Sequence, residues 1–293
     1  MNEITKIFSA DGSIKYAFRL ENNLKTEAAY FKVSGRERPN IACVSTQVGC
    51  SVGCTFCATA KTSFFRNLTK DEIFLQISSV IDNDPTGDAL AEGFEVSFMG
   101  MGEPLSNLKN VLEAVKEIHI RYPLINRVSL STSGTAKRID ALTDAMPISP
   151  PIHLQISLHT TEDSIRKRLI PYSSSSIESL LKAGRRYHEK TGDKVCLNYI
   201  LLKGINDFQD NARWLAGLDS SVFYVKLTAL NLVPDMPKYL LPVSVSEMLS
   251  FSNILASRGM PHKIFVGDGL DVQASCGQLS ATPREIGVST GMS

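Results

Sequence analysis

Cys43-Val-Ser-Thr-Gln-Val-Gly-Cys50-Ser-Val-Gly-Cys54-Thr-Phe-Cys57 is the stretch whose reading decides the fold and chemistry of this chain. Its last part has the pattern C-x3-C-x2-C. Three thiolates so spaced can hold three irons of a cubane cluster and leave the fourth iron open to a small molecule. Gly53 lets the loop backbone curl tightly. The alternatives are a zinc site short of a ligand or buried structural cysteines. A zinc site usually pairs C-x2-C units or adds histidines, and neither accompanies this loop. The chain has 6 cysteines in all. Three of them crowded together read as metal binding in a reducing compartment, not as a disulfide framework.

Working outward, Ile41–Ser45 leads into the loop as a strand. Further strand candidates are Glu95–Phe98, Arg127–Ser131, His153–Ser157, Val195–Leu201, Phe223–Leu230 and Lys263–Val266. Amphipathic helical patterns lie between them. Thr69 and Glu72 form a capping box ahead of Ile73, and Ser175 and Glu178 form a second ahead of Leu180. The helix of the second box ends near Gly192, a suitable C-cap. Strand–helix alternation implies parallel strands joined by crossovers. The fold class is therefore α/β, a partial or full (β/α) barrel with short flanking N-terminal strands. Residues 1–40 form those strands and turns, and residues 41–293 form the barrel with a C-terminal cysteine loop. In such barrels the chemistry sits in the loops that follow the strands.

The chain of 293 residues is 43% hydrophobic, enough for a sizeable core. It has no apolar run of membrane-spanning length and no signal-peptide start. A cytoplasmic location, no membrane contact and a monomer are the expectations. A net charge of +1 leaves any contact with RNA to local patches. Candidate patches are Arg36 with Arg38, Lys61 with Arg66, Arg166-Lys167-Arg168, and Arg185-Arg186; solvated helix faces are the plainer reading of such runs.

Met99-Gly-Met-Gly102-Glu103-Pro104 follows the second strand. Glycines there allow close backbone approach to a ligand, and a carboxylate can pair with an ammonium group. Taken alone this is a turn. Ser131, Ser157-Leu158-His159 and Asn231 end later strands around the same mouth. As a set they can bind ribose hydroxyls and a carboxylate; singly, each is a loop cap, and a lone His159 is structural.

The cysteine loop, with Phe56 directly before its third cysteine, resembles that of the radical SAM superfamily. The resemblance implies a [4Fe–4S] cluster on Cys50, Cys54 and Cys57 that binds S-adenosylmethionine (SAM) and cleaves it to a 5′-deoxyadenosyl radical. It also makes Phe56, Gly102, Glu103, Ser131, Ser157, Leu158, His159 and Asn231 the SAM contacts.

Several segments together resemble the RlmN/Cfr family of radical SAM RNA methyltransferases. They are Cys43–Cys50, Phe56-Cys57-Ala-Thr, Arg66-Asn-Leu-Thr69, Phe98–Pro104, Ser131-Thr-Ser-Gly134, Ile156-Ser-Leu-His159, Gly204-Ile-Asn-Asp207 and Cys276-Gly-Gln-Leu279. Spacing alone leaves Cys43 and Cys276 as a pair of buried free cysteines. The resemblance implies that Cys276 takes a methyl group from one SAM, giving S-methylcysteine. A radical from a second SAM activates that group to add to carbon 2 or 8 of an adenine. Cys43 then attacks the sulfur of Cys276, releasing the base and leaving a disulfide. Glu27 falls where the family carries its proposed proton acceptor. Cys196 matches nothing catalytic and reads as buried on a strand. The implied partners are rRNA and/or tRNA and an electron donor such as a flavodoxin-type reductase system.

Family members usually carry an extra N-terminal helical domain, and this sequence begins where the flanking strands begin, so that domain is expected to be absent. Two alternatives follow. The same chemistry can serve a small molecule or nucleotide. An iron–sulfur electron-transfer protein is the reading from another class, favoured if Cys43 or Cys276 were a fourth cluster ligand.

Overall fold

The computed structural model describes residues 3–32, 40–83, 94–173 and 175–280. Arg36 and Arg38 lie outside the described residues.

Among the described residues, twelve strands and seven α-helices run in chain order β1 (Glu3–Phe8), β2 (Ile14–Arg19), β3 (Lys25–Phe31), β4 (Asn40–Cys43), β5 (Gln47–Val48), β6 (Arg66–Asn67), α1 (Lys70–Ile81), β7 (Phe94–Phe98), α2 (Leu108–Arg121), β8 (Arg127–Thr132), α3 (Ala136–Asp144), β9 (Ile152–Ser157), α4 (Asp163–Leu169), α5 (Ile177–Thr191), β10 (Val195–Ile200), α6 (Gln209–Ala216), β11 (Phe223–Thr228), α7 (Val245–Ser257) and β12 (His262–Phe265). Ten strands form one sheet in the order β1-β2-β3-β4-β7-β8-β9-β10-β11-β12. From β4 to β12 every pairing is parallel, and β1 to β4 pair antiparallel. No ladder joins β1 to β12 among the described residues, so the partial barrel is the form observed. All seven strands expected for the barrel are present.

Helices between successive parallel strands cover the outer face, which leaves the strands buried on both sides. Val195–Tyr199 on β10 are all buried, Cys196 among them, as expected. The flanking strands β1–β3 continue the same sheet through the pairing of β3 with β4.

Helix ends follow local chemistry. Thr69 and Glu72 make the expected reciprocal cap on α1. The second expected box is displaced by one residue: Ser176 caps α5 by accepting from Ser179 N, while Ser175 Oγ accepts from Ala136 N (2.9 Å). Ser175 is thus drawn away to tie α3 to the loop before α5. Gly192, at φ 74°, ends α5 as expected.

The surface patches are also more constrained than their sequence suggests. Arg66 makes a bidentate pair with Glu72 (2.7 and 2.8 Å). Arg185 pairs with Asp219 and Arg186 with Asp140. Arg166, read from sequence as part of a solvated face, is buried in the interior.

Candidate active site

Two segments build the inner wall of one cavity, and they fold as a unit. Residues 44–48, leaving β4, run beside residues 99–103, leaving β7. Gly100 N donates to Val44 O (3.1 Å), Thr46 N to Met101 O (2.9 Å) and Met101 N to Ser45 Oγ (2.7 Å). Gln76 of α1 satisfies both backbone groups of Ser45, accepting from its N (3.0 Å) and donating to its O (3.1 Å). Gln47 Oε1 accepts from Glu103 N (2.9 Å). The entry to the cysteine loop and the glycine turn are therefore locked in register.

The short β5–β6 ladder clamps the two ends of the cysteine loop. Cys50, Cys54, Cys57 and Phe56 all line one cavity at the ends of the parallel strands. Burial, with the neighbouring thiols adding to it, raises Cys50 to about 11 and pushes Cys54 and Cys57 upward. Three thiols set around shared space fit a multi-iron cluster better than one zinc ion.

Glu103 is buried, and both carboxylate oxygens are fully engaged. Oε1 accepts from Leu105 N (3.1 Å) and Thr132 Oγ1 (2.7 Å), and Oε2 from Ser133 N (2.8 Å) and Ser133 Oγ (2.7 Å). Hydroxyl hydrogens rotate, so an incoming ammonium can replace either hydroxyl donor without breaking the backbone bonds. Gly102 positions this carboxylate. Its φ is 97°, and an added Cβ would stand 2.5 Å from Gln47 Cβ. Gly102→Ala is expected to weaken SAM binding at least about tenfold by displacing Glu103, and to cost about 1–3 kcal/mol of stability. Isothermal titration and denaturant melts check both; unchanged affinity would count against Glu103 as the ammonium partner.

Ser131, Ser157, His159 and Asn231 all line the same cavity. Ser131 Oγ lies 3.4 Å from Ser157 Oγ and accepts from Asn198 Nδ2 (3.1 Å). His159 Nδ1 accepts from Ile200 N (3.1 Å) and its ring meets Phe56 edge-on at 5.0 Å. Burial, with Arg166 and Lys226 nearby, lowers its pKa to about 3, so the ring is neutral and carries its proton on Nε2. Its backbone sits at φ 61°, with its carbonyl held by Asn206 Nδ2 (2.6 Å). Leu158 is buried and does not line the cavity.

Asn231 works on the cysteine loop at the C-terminal end. Its Nδ2 donates to Cys276 O (2.9 Å) and Ser275 Oγ (3.1 Å). Ala58 N donates to Gly277 O (2.7 Å) and Thr59 Oγ1 to Leu279 O (2.7 Å), so the Cys276 loop is stitched to the residues just after Cys57. Cys276 lines the cavity. Cys43 is buried beside Ala274 and Met99. Burial and the nearby Cys276 push its thiol well up, while Met99 N and the Lys226 ammonium oppose the shift. Cys43 and Cys276 are both free thiols.

Glu27 lies behind this loop and not along the cavity. It pairs with Lys15 (3.0 Å) and accepts from Ser280 N (2.8 Å). Burial raises its pKa against the pull of Lys15.

Sequence reasoning missed Gln47, Ser133, Asn198, Lys226 and Arg166. Gln47 and Ser133 lie inside the motifs above; Asn198 and Lys226 are single polar residues among apolar neighbours with no local signal, and Arg166 opens a charged run that reads as a solvated face.

The parallel sheet, the strand-end cavity and the three-cysteine loop define a radical SAM enzyme, and the Radical SAM superfamily model matches residues 44–215. The chain is 39% identical over 286 residues to the probable dual-specificity RNA methyltransferase RlmN of Thermus thermophilus, covering 95% of this chain and 77% of that protein. The dual-specificity RNA methyltransferase RlmN of Sulfurimonas denitrificans is 36% identical, with 94% and 80% covered. A radical SAM methyltransferase structure from Sphaerobacter thermophilus superposes with a TM-score of 0.84 at 32% identity, over 95% of this chain and 82% of that one. The chain belongs to the RlmN family of radical SAM methyltransferases. Its cofactors are those of the family, a [4Fe–4S] cluster and SAM. Among the described residues, no helix is long and apolar enough to cross a membrane.

Proposed function

We propose that this enzyme methylates carbon 2 or 8 of an adenine in RNA, rRNA and/or tRNA, through a methyl group carried on Cys276. The observation that carries this reading is the opening of Cys276 into the cavity lined by Cys50, Cys54 and Cys57, with Cys43 buried against Ala274 of the same loop. The relatives named as RNA methyltransferases support the RNA substrate.

Cys50, Cys54 and Cys57 hold the cluster, which with SAM supplies the radical chemistry when bound. Glu103 takes the ammonium group of SAM. Ser131, Ser157 and Asn198 offer hydroxyl and amide partners to its sugar, and His159 offers the Nε2 hydrogen. Asn231 holds the Cys276 carbonyl and so aims the thiol into the cavity. The Cys276 thiolate would take the methyl group of SAM, an S–C bond forming as the sulfonium's own S–CH3 bond breaks and the neutral thioether leaves. Joining the carbon to the base would remove a hydrogen atom from the methyl group, taken by the SAM-derived radical, and a proton and an electron from the base, the electron being one the cluster would accept; the Cys43 thiolate then attacks Cys276 Sγ. An S–S bond forms, the S–C pair passes to carbon, and that carbon takes up a proton as a methyl group. An external dithiol reductant then restores both thiols. Glu27 is the candidate acceptor for the base proton; its raised pKa suits a base, and access requires its contacts with Lys15 and Ser280 to open. The adenine must leave its stack to enter, which favours looped or single-stranded RNA.

The test loads the purified chain with iron and sulfide and adds SAM, reductant and total RNA. Methylated adenine in the RNA and methylated Cys276 by peptide mass spectrometry are expected. Methylated Cys276 with unmodified RNA would move the substrate to a smaller molecule. An unmodified Cys276 would overturn the methyl-cysteine route.

A further inference from the structure

Arg166 is 2% exposed, and its guanidinium has no carboxylate at ion-pair distance among the described residues. Its acceptors are neutral. Nη1 donates to Ser173 Oγ (2.7 Å) and Ser175 O (3.5 Å), and Nη2 donates to Ser157 O (3.0 Å) and to Ser133 O. The buried Nε hydrogen has no partner among the described residues. Asp163, the nearest acid on the same helix, acts on Arg166 only through space, short of an ion pair, and directs Oδ1 to Ile177 N (2.7 Å). Burying a cation without an opposite charge is costly, and hydrogen bonds to neutral groups offset only part of that cost.

The helix that carries it shows where the missing negative charge belongs. Leu169 and Ile170, at the end of α4, pack with Val52 and Phe56, and Ile165 joins the same cluster beside Cys50, Cys54 and Cys57. Thr55 N, inside the cysteine loop, donates to Leu169 O (3.0 Å). Arg166 thus stands directly behind the cysteine loop, and it and Cys54 sense each other's charge.

We propose that Arg166 is the fixed counter-charge of the iron–sulfur cluster held by Cys50, Cys54 and Cys57, and that it raises the cluster's reduction potential. The inference rests on the reading of those cysteines as cluster ligands. Three thiolates around a doubly charged cubane leave one net negative charge, and one-electron reduction adds another. A cation at fixed distance stabilises the reduced form more than the oxidised form, and it does so strongly where water is excluded. The same guanidinium ties together Ser133, which holds Glu103, and Ser157. Arg166 is therefore a positioning residue for both cofactors, and the potential separates its charge from its bonds.

The test compares wild type, Arg166→Lys and Arg166→Gln, each loaded with cluster, in a reductive titration followed by electron paramagnetic resonance. Lysine keeps the charge and loses most of the bonds; glutamine loses the charge. At fixed reductant potential, Arg166→Gln is expected to lower the reduced-to-oxidised ratio about tenfold, equivalent to about 59 mV for a one-electron couple, and Arg166→Lys to restore most of it. Loss of iron in the glutamine variant alone would support the same role. Equal potentials in wild type and Arg166→Gln would overturn it. So would loss of iron in both variants while wild type stays loaded, which would make Arg166 a strap for α4. A wild-type chain that binds no iron would overturn the cluster reading itself.

Discussion

Cys54→Ala is expected to reduce bound iron and sulfide to background and to abolish methyl transfer, while the fold survives with a stability change of about 1 kcal/mol. Among the described residues the Cys54 side chain makes no hydrogen bond or ion pair, and its carbonyl, which accepts from Cys57 N (3.1 Å), survives the substitution. Thr55 N is anchored to Leu169, Ala58 N to Gly277 O, and the loop ends by β5 and β6. Two thiolates cannot hold a cubane against exchange, so the loss is complete and not graded. Because burial and the neighbouring thiols raise all three ligands, the free chain holds them protonated near neutral pH. Loading must then expel protons, and its extent is expected to rise with pH in wild type. Iron per chain after reconstitution, measured across a pH series, checks both statements. Retention of wild-type iron by Cys54→Ala would remove it from the ligand set.

Much of this site was legible in the sequence because its chemistry is local. The cysteine loop, the turn ending in Glu103 and the strand-end serines are each read from a few adjacent residues. The seven parallel strands were legible for the same reason, since buried β-branched runs between helical patterns have few other solutions. What stayed hidden depends on contacts between distant segments. Nothing near Arg166 distinguishes it from Lys167 and Arg168, its solvated neighbours in the run. Only the packing of α4 on the cysteine loop turns it inward. Asn198 and Lys226 sit on strands whose neighbours are apolar, where period-two reading assigns them to a face but not to a partner. Lys226 Nζ reaches Gln155 Oε1 (2.9 Å) across the interior, a contact no local pattern encodes. The choice of Ser176 over Ser175 as cap was settled by Ala136, which lies in another helix. Asn231 was legible as a polar strand-end residue, but its bond to the Cys276 carbonyl joins segments far apart in the chain.

Cys43→Ala and Cys276→Ala should fail in opposite ways, and the contrast is the sharpest test of the two-cysteine route. Cys276→Ala keeps its cluster and still cleaves SAM, but forms neither methylated RNA nor a protein–RNA adduct. Cys43→Ala still methylates Cys276 and joins it to the base, but cannot release it. A covalent adduct is therefore expected to accumulate to nearly one per active site, visible on a denaturing gel and reduced by nuclease to a Cys276 peptide bearing adenine. Cys43→Ala removes only the sulfur acceptor facing Met99 N, and each substitution deletes a single sulfur atom, so loss of folding does not explain either outcome. The wild type adds a pH signature. Burial and Cys276 raise the Cys43 thiol, and Glu95 adds to this; Met99 N and the Lys226 ammonium pull the other way without cancelling it. The attacking species is the thiolate, whose fraction rises about tenfold per pH unit below the thiol pKa. Adduct resolution should therefore quicken as pH rises from about 6.5 to 8.5, and wild-type enzyme stopped at the acid end should show a little of the adduct that Cys43→Ala traps in full. Free RNA from Cys43→Ala at wild-type yield, or a resolution rate independent of pH, would take Cys43 out of the release step and leave the attack on Cys276 to another nucleophile.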